Sequence, residues 1–119
     1  MMRVRVKGGS LLERARHLFS IRHFTKHYTT DFREALLYIV LACRRQTEVS
    51  EEWYRKTVHA LAQLLRRAAM RGMDKRPDEV VYWYLDPCIR SDDIEAHIAE
   101  LAQKRYITKR DFNELFFQQ

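Results

Sequence analysis

The chain has 119 residues, of which 46% are hydrophobic and 32% are charged. This length suits one domain with a modest core that needs no metal or disulfide. No run of about 18 apolar residues is present to span a membrane, and the start shows no apolar signal-peptide stretch. Two cysteines, Cys43 and Cys88, are too few for a disulfide framework. We therefore expect a reduced, cytoplasmic protein in which Cys43 is a small buried hydrophobe.

The net charge of +6 is unevenly distributed along the chain. Residues 1–76 carry 17 Lys or Arg and 7 Asp or Glu, for +10, whereas residues 77–119 carry 5 and 9, for −4. Arg outnumbers Lys by 16 to 6, which suits forked contacts to phosphate. The first part of the chain is therefore expected to meet a polyanion, although a genome that favours Arg codons would give the same bias.

The chain opens with MMRVRVKGG, in which polar and apolar side chains alternate as on a half-buried strand. No second convincing strand follows in the sequence. We interpret residues 1–9 as an extended basic arm that makes no strand pairing within this chain. Val4 and Val6 would pair with a neighbouring subunit or belong to a larger protein's sheet, and the cations between them would lie along phosphate.

Helix start signals recur after the arm. The first, SLLE at residues 10–13, is a capping box ahead of a helix that ends near Phe24. The second, Asp31 with Glu34, opens a segment in which apolar residues fill most positions through Cys43. This second helix should be the central and most buried one.

Three further start signals complete the predicted fold. Ser50 caps the longest helix, which ends near Arg71 because Gly72 supplies a stop. Pro77 starts the next, and although the VVYWYL that follows would suit a strand, the start signal favours helix. The last two helices are expected to be capped by Ser91, Asp92 and Asp93, and by Thr108 with Asp111. Residues 10–119 should therefore form a single compact all-α bundle of five or six helices.

The longest helix has an apolar side and a basic side. At 3.6 residues per turn, its cations form a stripe about 18 Å long, enough to follow several phosphates of a nucleic-acid strand. Only Glu52 interrupts the stripe with negative charge, and the alternative is an ordinary solvated helix face. This stripe, the basic face, consists of Arg55, Lys56, His59, Gln63, Arg66 and Arg67.

Six further cations are expected to extend the basic face. They are Arg14, Arg16, Arg22 and Lys26, on or just after the first helix, and Arg44 and Arg45 at the end of the second. The last two have a structural alternative, because cations at a helix C-terminus offset its dipole.

Sequence motifs of catalysis and of metal binding are missing. No GxSxG, HExxH or Cys–His nucleophile pattern occurs, and no glycine-rich phosphate loop. His23 and His27 have the spacing of a metal pair, but Arg22 and Lys26 beside them would repel a cation. We expect a protein that is not an enzyme and holds no metal or cofactor.

Residues 94–115 read as two helices joined by a tight turn, as in a helix-turn-helix DNA reader. The region is acidic overall and its last helix is short and rich in Phe, which favours packing or partner docking. A helix-turn-helix regulator is therefore the third interpretation of function. The second is a protein–protein adaptor whose basic face meets an acidic protein.

In size, helix content and charge, the whole chain resembles the small subunits of CRISPR effector complexes of antiviral defence. Those subunits are short basic helical bundles without catalytic residues. The resemblance implies contacts to the phosphates of a guide RNA, target strand or displaced strand, with Arg55, Lys56, Arg66 and Arg67 as candidates. Some such subunits begin at an internal start in a larger gene, which would leave an arm that begins in mid-strand.

The partners that this resemblance implies are of three kinds. They are single-stranded nucleic acid or the backbone of an RNA–DNA hybrid, other subunits of a multi-protein complex, and further copies of the chain. No membrane partner is expected. Our first interpretation is a non-enzymatic subunit that binds nucleic acid by charge.

Overall fold

The computed structural model describes residues 31–45 and 49–116. Within these two ranges the chain forms five α-helices and no strand, which confirms the predicted all-α bundle. The predicted arm, residues 1–9, and the predicted helix from Ser10 to about Phe24 lie outside the described residues. The helices are α1 (Phe32–Cys43), α2 (Glu51–Met70), α3 (Pro77–Leu85), α4 (Ser91–Gln103) and α5 (Lys109–Phe116).

Helix α1 is the centre of the bundle, as predicted. It packs against each of the other four described helices. Its apolar residues fill nearly every position, so that six of its side chains are buried, namely Ala35, Leu36, Ile39, Val40, Ala42 and Cys43. Burial raises the pKa of the Cys43 thiol to about 12, so this thiol stays protonated and behaves as the hydrophobe that the sequence predicted.

Aromatic side chains complete the core at α5. Phe112 and Phe116 lie one turn apart and are 0% and 1% exposed. Their rings stack with centroids 4.9 Å apart, and Phe32 of α1 lies 6.1 Å from Phe112. The last described helix is therefore packed into the bundle by its Phe residues.

The helix starts follow from local capping chemistry. The Ser50 hydroxyl accepts a hydrogen bond from the backbone N–H of Trp53 at 3.1 Å. At α5 the capping is reciprocal, because Asp111 N–H donates to Thr108 Oγ1 and Thr108 N–H donates to Asp111 Oδ2. These bonds satisfy N–H groups that have no partner within the helix, and both predicted caps are confirmed.

Helix α4 begins one residue away from the predicted cap. Arg90 takes the extended N-cap conformation and makes no side-chain capping bond, whereas Ser91 is already helical. The predicted capping role of Ser91, Asp92 and Asp93 is therefore wrong. The two aspartates instead lie in the first turn of α4, where negative charge offsets the positive end of the helix dipole.

The VVYWYL segment is helical, as the Pro77 start signal favoured. Val80 and Tyr84, one helical turn apart, are 3% and 0% exposed, whereas Tyr82 between them is 79% exposed. A strand would place all three on one face, so the burial pattern follows the helical period. No helix in the described ranges is long and apolar enough to cross a bilayer.

Candidate nucleic-acid interface

The outer side of α2 presents the basic face to solvent. Helix α2 packs on α1, α3 and α5 through its opposite side, where Leu61, Leu64 and Leu65 are at most 1% exposed. The side chains of Arg55 and Lys56 remain 73% and 67% exposed. The predicted division of this helix into a core side and a basic side is therefore what the fold contains.

The ion pairs of Arg55 and Lys56 on this face are long and lie in solvent. Arg55 Nη2 is 3.5 Å from Glu51 Oε1, and Lys56 Nζ is 3.5 Å from Glu52 Oε1. Exposed pairs of this kind contribute little to stability, so an incoming phosphate can displace them at small cost. Arg66 is exposed and makes no ion pair with any residue in 31–45 or 49–116.

Polar neutral groups occupy the middle of the basic face. Gln63 Nε2 and His59 Nε2 are 3.4 Å apart, one turn from each other along the helix. Both can hydrogen-bond phosphate oxygens through N–H groups. The face thus offers cations at its two ends and hydrogen-bonding groups between them.

Arg67 differs from the rest of the basic face because its guanidinium binds carboxylates of α5. Its Nη1 atom donates to Asp111 Oδ1 at 2.8 Å and to Glu114 Oε1 at 2.7 Å, both on α5. These hydrogen bonds raise the pKa of Arg67 and leave its side chain 34% exposed. Arg67 therefore joins α2 to α5, and the solvent-facing part of the basic face consists of Arg55, Lys56, His59, Gln63 and Arg66.

Asp111 is the residue that most of the hydrogen bonds between α2 and α5 converge on. The sequence predicts only a capping role for it. Its side chain, 4% exposed, accepts from Arg67, from both Nη atoms of Arg71 and from the Thr108 hydroxyl. Burial alone would raise its pKa, but the hydrogen bonds from Arg71, Arg67 and Thr108 outweigh burial and hold the pKa well below the usual 3.8. The Asp111 carboxylate, ionised at neutral pH, thus binds Arg67 within α2 and Arg71 at the C-cap of α2.

Arg44 also has a structural position. Its Nε atom donates to the carbonyl of Tyr84 and its Nη1 atom to the carbonyl of Ile89, both at 2.9 Å. Burial lowers the pKa of Arg44. These bonds favour the structural alternative for Arg44, whereas Arg45 beside it is exposed.

The remaining predicted cations, Arg14, Arg16, Arg22 and Lys26, lie outside the described residues, as does the histidine pair of the metal alternative. Among the residues that the structure describes, no group of three or more His, Cys, Asp or Glu side chains is placed to hold a metal ion.

No protein-family model matches the chain, and neither a curated protein nor a solved structure matches it. The resemblance to CRISPR small subunits thus stays a prediction from size, helix content and charge.

Proposed function

We propose that the protein is a non-catalytic nucleic-acid-binding subunit of a larger ribonucleoprotein, of the kind found in CRISPR effector complexes. In this proposal the basic face of α2 contacts the backbone of a guide RNA or of a target or displaced DNA strand. The observation that carries the proposal is the exposure of Arg55, Lys56 and Arg66 on one side of a helix whose other side is core. After Glu52, no further carboxylate occurs in α2.

The dimensions of the face suit a polymer with regularly spaced charge. Arg55 and Arg66 are eleven residues apart, which is about 16 Å along a helix axis. Several phosphates of one strand fall within that length, and each neutralised phosphate releases counterions. Cations on a helix face contact phosphates and carry no direct sequence information, so binding is expected to be indifferent to sequence.

The acidic part of the chain is proposed to meet protein. Residues 77–119 carry the net negative charge, and Tyr82 on α3 leaves 79% of its surface exposed. Exposed aromatic side chains are favoured contact groups at protein interfaces. Neighbouring subunits or a further copy of the chain would therefore bind at this part of the bundle.

The test compares two charge reversals that are matched in number and residue type. One variant carries Lys56→Glu and Arg66→Glu on the basic face. The control carries Lys104→Glu and Arg90→Glu on α4 and its N-cap, where the side chains are 52% and 75% exposed. Lys56 and Lys104 each have a glutamate partner one turn away, and the control also loses the exposed pair between Arg90 and Asp92.

Binding is measured by fluorescence anisotropy with single-stranded RNA, single-stranded DNA and an RNA–DNA hybrid at low salt, after circular dichroism has shown that each variant is folded. We expect the basic-face variant to bind about tenfold more weakly or worse and the control to retain most of the affinity. Equal losses of affinity in the two variants would show that binding depends on the net charge of the protein and not on the basic face.

Two other results would replace the proposal. Failure of the unmodified protein to bind any nucleic acid at low salt would favour the adaptor whose basic face meets an acidic protein. Strong preference for one duplex sequence would favour the helix-turn-helix regulator.

A further inference from the structure

A cavity of about 490 Å³ opens where the loop after α2 meets α3 and α4. Its volume lies within the range of about 300–1,000 Å³ that is typical of ligand pockets. Two cations, two carboxylates and two aromatic rings line it. These are Asp74, Lys75 and Arg76 from the loop, Glu79 and Trp83 from α3, and His97 from α4.

The His97 ring is held in one orientation by a buried partner. Its Nδ1 atom is 2.6 Å from the hydroxyl of Tyr84, a residue that is 0% exposed. Burial raises the pKa of Tyr84, so its hydroxyl keeps its proton. Burial and the nearby Lys75 ammonium lower the pKa of His97 below its ordinary 6.5, so the imidazole is neutral at pH 7.

These protonation states determine what His97 offers to an occupant of the cavity. The Tyr84 hydroxyl makes no other hydrogen bond to the described residues, and a buried O–H without an acceptor is unfavourable. The arrangement in which Tyr84 O–H donates to Nδ1 satisfies both groups and places the imidazole proton on Nε2. His97 thus contributes an N–H donor and a ring face, next to Trp83, whose ring meets it edge-on at 5.5 Å.

The loop that lines the cavity directly follows, along the chain, the helix that carries the basic face. Arg66 lies four residues before Met70, the last residue of α2. The first residue that lines the cavity, Asp74, lies four residues after Met70. The last residue, Met70, is 87% exposed. This short connection along the chain is the reason for assigning the basic face and the cavity to one bound strand.

We propose that the cavity receives one unpaired nucleotide of the bound strand, with its base against Trp83 and His97 and its phosphate at Lys75 and Arg76. This inference rests on the proposed function and extends it. Aromatic rings stack on any base, and the Asp74 and Glu79 carboxylates accept hydrogen bonds from N–H groups of a base edge. Because these carboxylates balance the two cations, phosphate alone is a poor ligand and the base is required.

The first experiment isolates the cavity. A Trp53→Phe protein keeps Trp83 as its only tryptophan, and its fluorescence is titrated with AMP, GMP, CMP and UMP after correction for nucleotide absorption. We expect saturable quenching by at least one nucleotide. Ribose 5-phosphate and inorganic phosphate should give none, and the Trp83→Phe protein, which keeps Trp53, should not respond. No saturable quenching, or equal responses to nucleotides and ribose 5-phosphate, would overturn the proposal.

The second experiment separates the cavity from the basic face. The affinity of the protein with wild-type sequence for a single-stranded oligonucleotide is compared with that for an abasic strand of the same length. The proposed function requires both strands to bind, whereas the cavity requires the base-containing strand to bind about tenfold more tightly. Equal binding overturns the cavity and leaves the proposed function standing. If neither strand binds, the proposed function fails, and quenching by mononucleotides would then assign the cavity to a free nucleotide.

Discussion

Arg44 joins the end of α1 to the end of α3 and to the turn beyond it. Its guanidinium donates to the carbonyls of Tyr84 and Ile89, and the first of these lies in the last turn of α3, where carbonyls have no partner within the helix. The sequence placed this residue at a helix end and left its role open between dipole and phosphate. In the structure Arg44 does neither of these alone, because its guanidinium hydrogen-bonds backbone carbonyls 40 and 45 residues later in the chain.

We expect Arg44→Met to lower the free energy of unfolding by about 2 kcal/mol, because two hydrogen bonds from a charged donor are lost and two carbonyls are left without their partner. Urea unfolding monitored by circular dichroism measures the change. Arg66→Met, at an exposed position that makes no ion pair with any residue in 31–45 or 49–116, serves as the control and should cost much less. Equal effects of the two substitutions would contradict the structural role of Arg44.

Asp111 joins α5 to α2 and to the C-cap of α2 through ion pairs with Arg67 and Arg71. We expect Asp111→Asn to lower the free energy of unfolding by about 3 kcal/mol, because Arg67 of α2 and Arg71 at its C-cap lose a buried anionic partner. Glu114→Gln, which removes a more exposed partner of Arg67, should have a much smaller effect in the same denaturation experiment. A small change for Asp111→Asn would show that the junction is dispensable.

The depressed pKa of Asp111 also predicts a dependence on pH. In the unfolded chain this carboxyl titrates near 3.8 and in the folded protein below that value. Its ionised form therefore stabilises the fold fully above about pH 3.8, and the contribution declines as the pH falls from there toward the folded pKa. The stability difference between wild type and Asp111→Asn, measured from pH 7 to pH 2, should be constant at the upper end and shrink below pH 3.8. A difference that grows on acidification would contradict this assignment.

Two helices, α2 and α4, end with the same hydrogen-bond pattern but with different residues. In each, the N–H groups of two residues beyond the C-cap donate back to carbonyls of the last turn, as in a Schellman motif. After α2 the donors are the N–H groups of Gly72 and Met73, and Gly72 has φ +128°. After α4 the donors are the N–H groups of Arg105 and Tyr106, and Arg105 has φ +61°. A side chain is unfavourable in this backbone conformation, so the end of α4 stores strain that the end of α2 avoids.

Arg105→Gly should therefore raise the free energy of unfolding by about 1 kcal/mol, because glycine adopts positive φ without strain. The reverse experiment is Gly72→Ala, in which a Cβ atom would lie 3.0 Å from the Tyr106 hydroxyl oxygen at a strained φ, and this protein should be less stable than wild type. Thermal unfolding measures both. Destabilisation by Arg105→Gly would contradict the assignment of strain at that turn.

The helices themselves could be predicted because their signals are local. Ser50, Pro77 and the Thr108–Asp111 pair act within one turn of the chain, and each helix start appears where these residues indicate. The end of α4 had no such signal, since its left-handed residue is Arg105 and only the folded turn requires positive φ there. At α4 the sequence predicts a cap at Ser91, Asp92 and Asp93 because Ser and Asp favour the N-cap position, whereas the structure has the N-cap at Arg90, one residue before Ser91.

The basic face could be predicted from the sequence, but which of its residues remain free for a partner could not. The helical period alone places Arg55, Lys56 and Arg66 on one side of α2. It also places Arg67 there, and nothing within α2 reveals that a carboxylate 44 residues later pairs with it. The cavity could not be predicted for the same reason. Its lining comes from a loop, α3 and α4, and forms only after these elements pack together.

If the basic face of α2 binds phosphates, the salt dependence of binding should report the number of phosphates that it contacts. For a single strand, the logarithm of the association constant falls with the logarithm of salt concentration by about 0.7 for each phosphate contact. We expect Lys56→Glu with Arg66→Glu to reduce the magnitude of this slope by about 1.4, whereas Lys104→Glu with Arg90→Glu leaves it unchanged. Identical slopes for wild type and both variants would contradict the account.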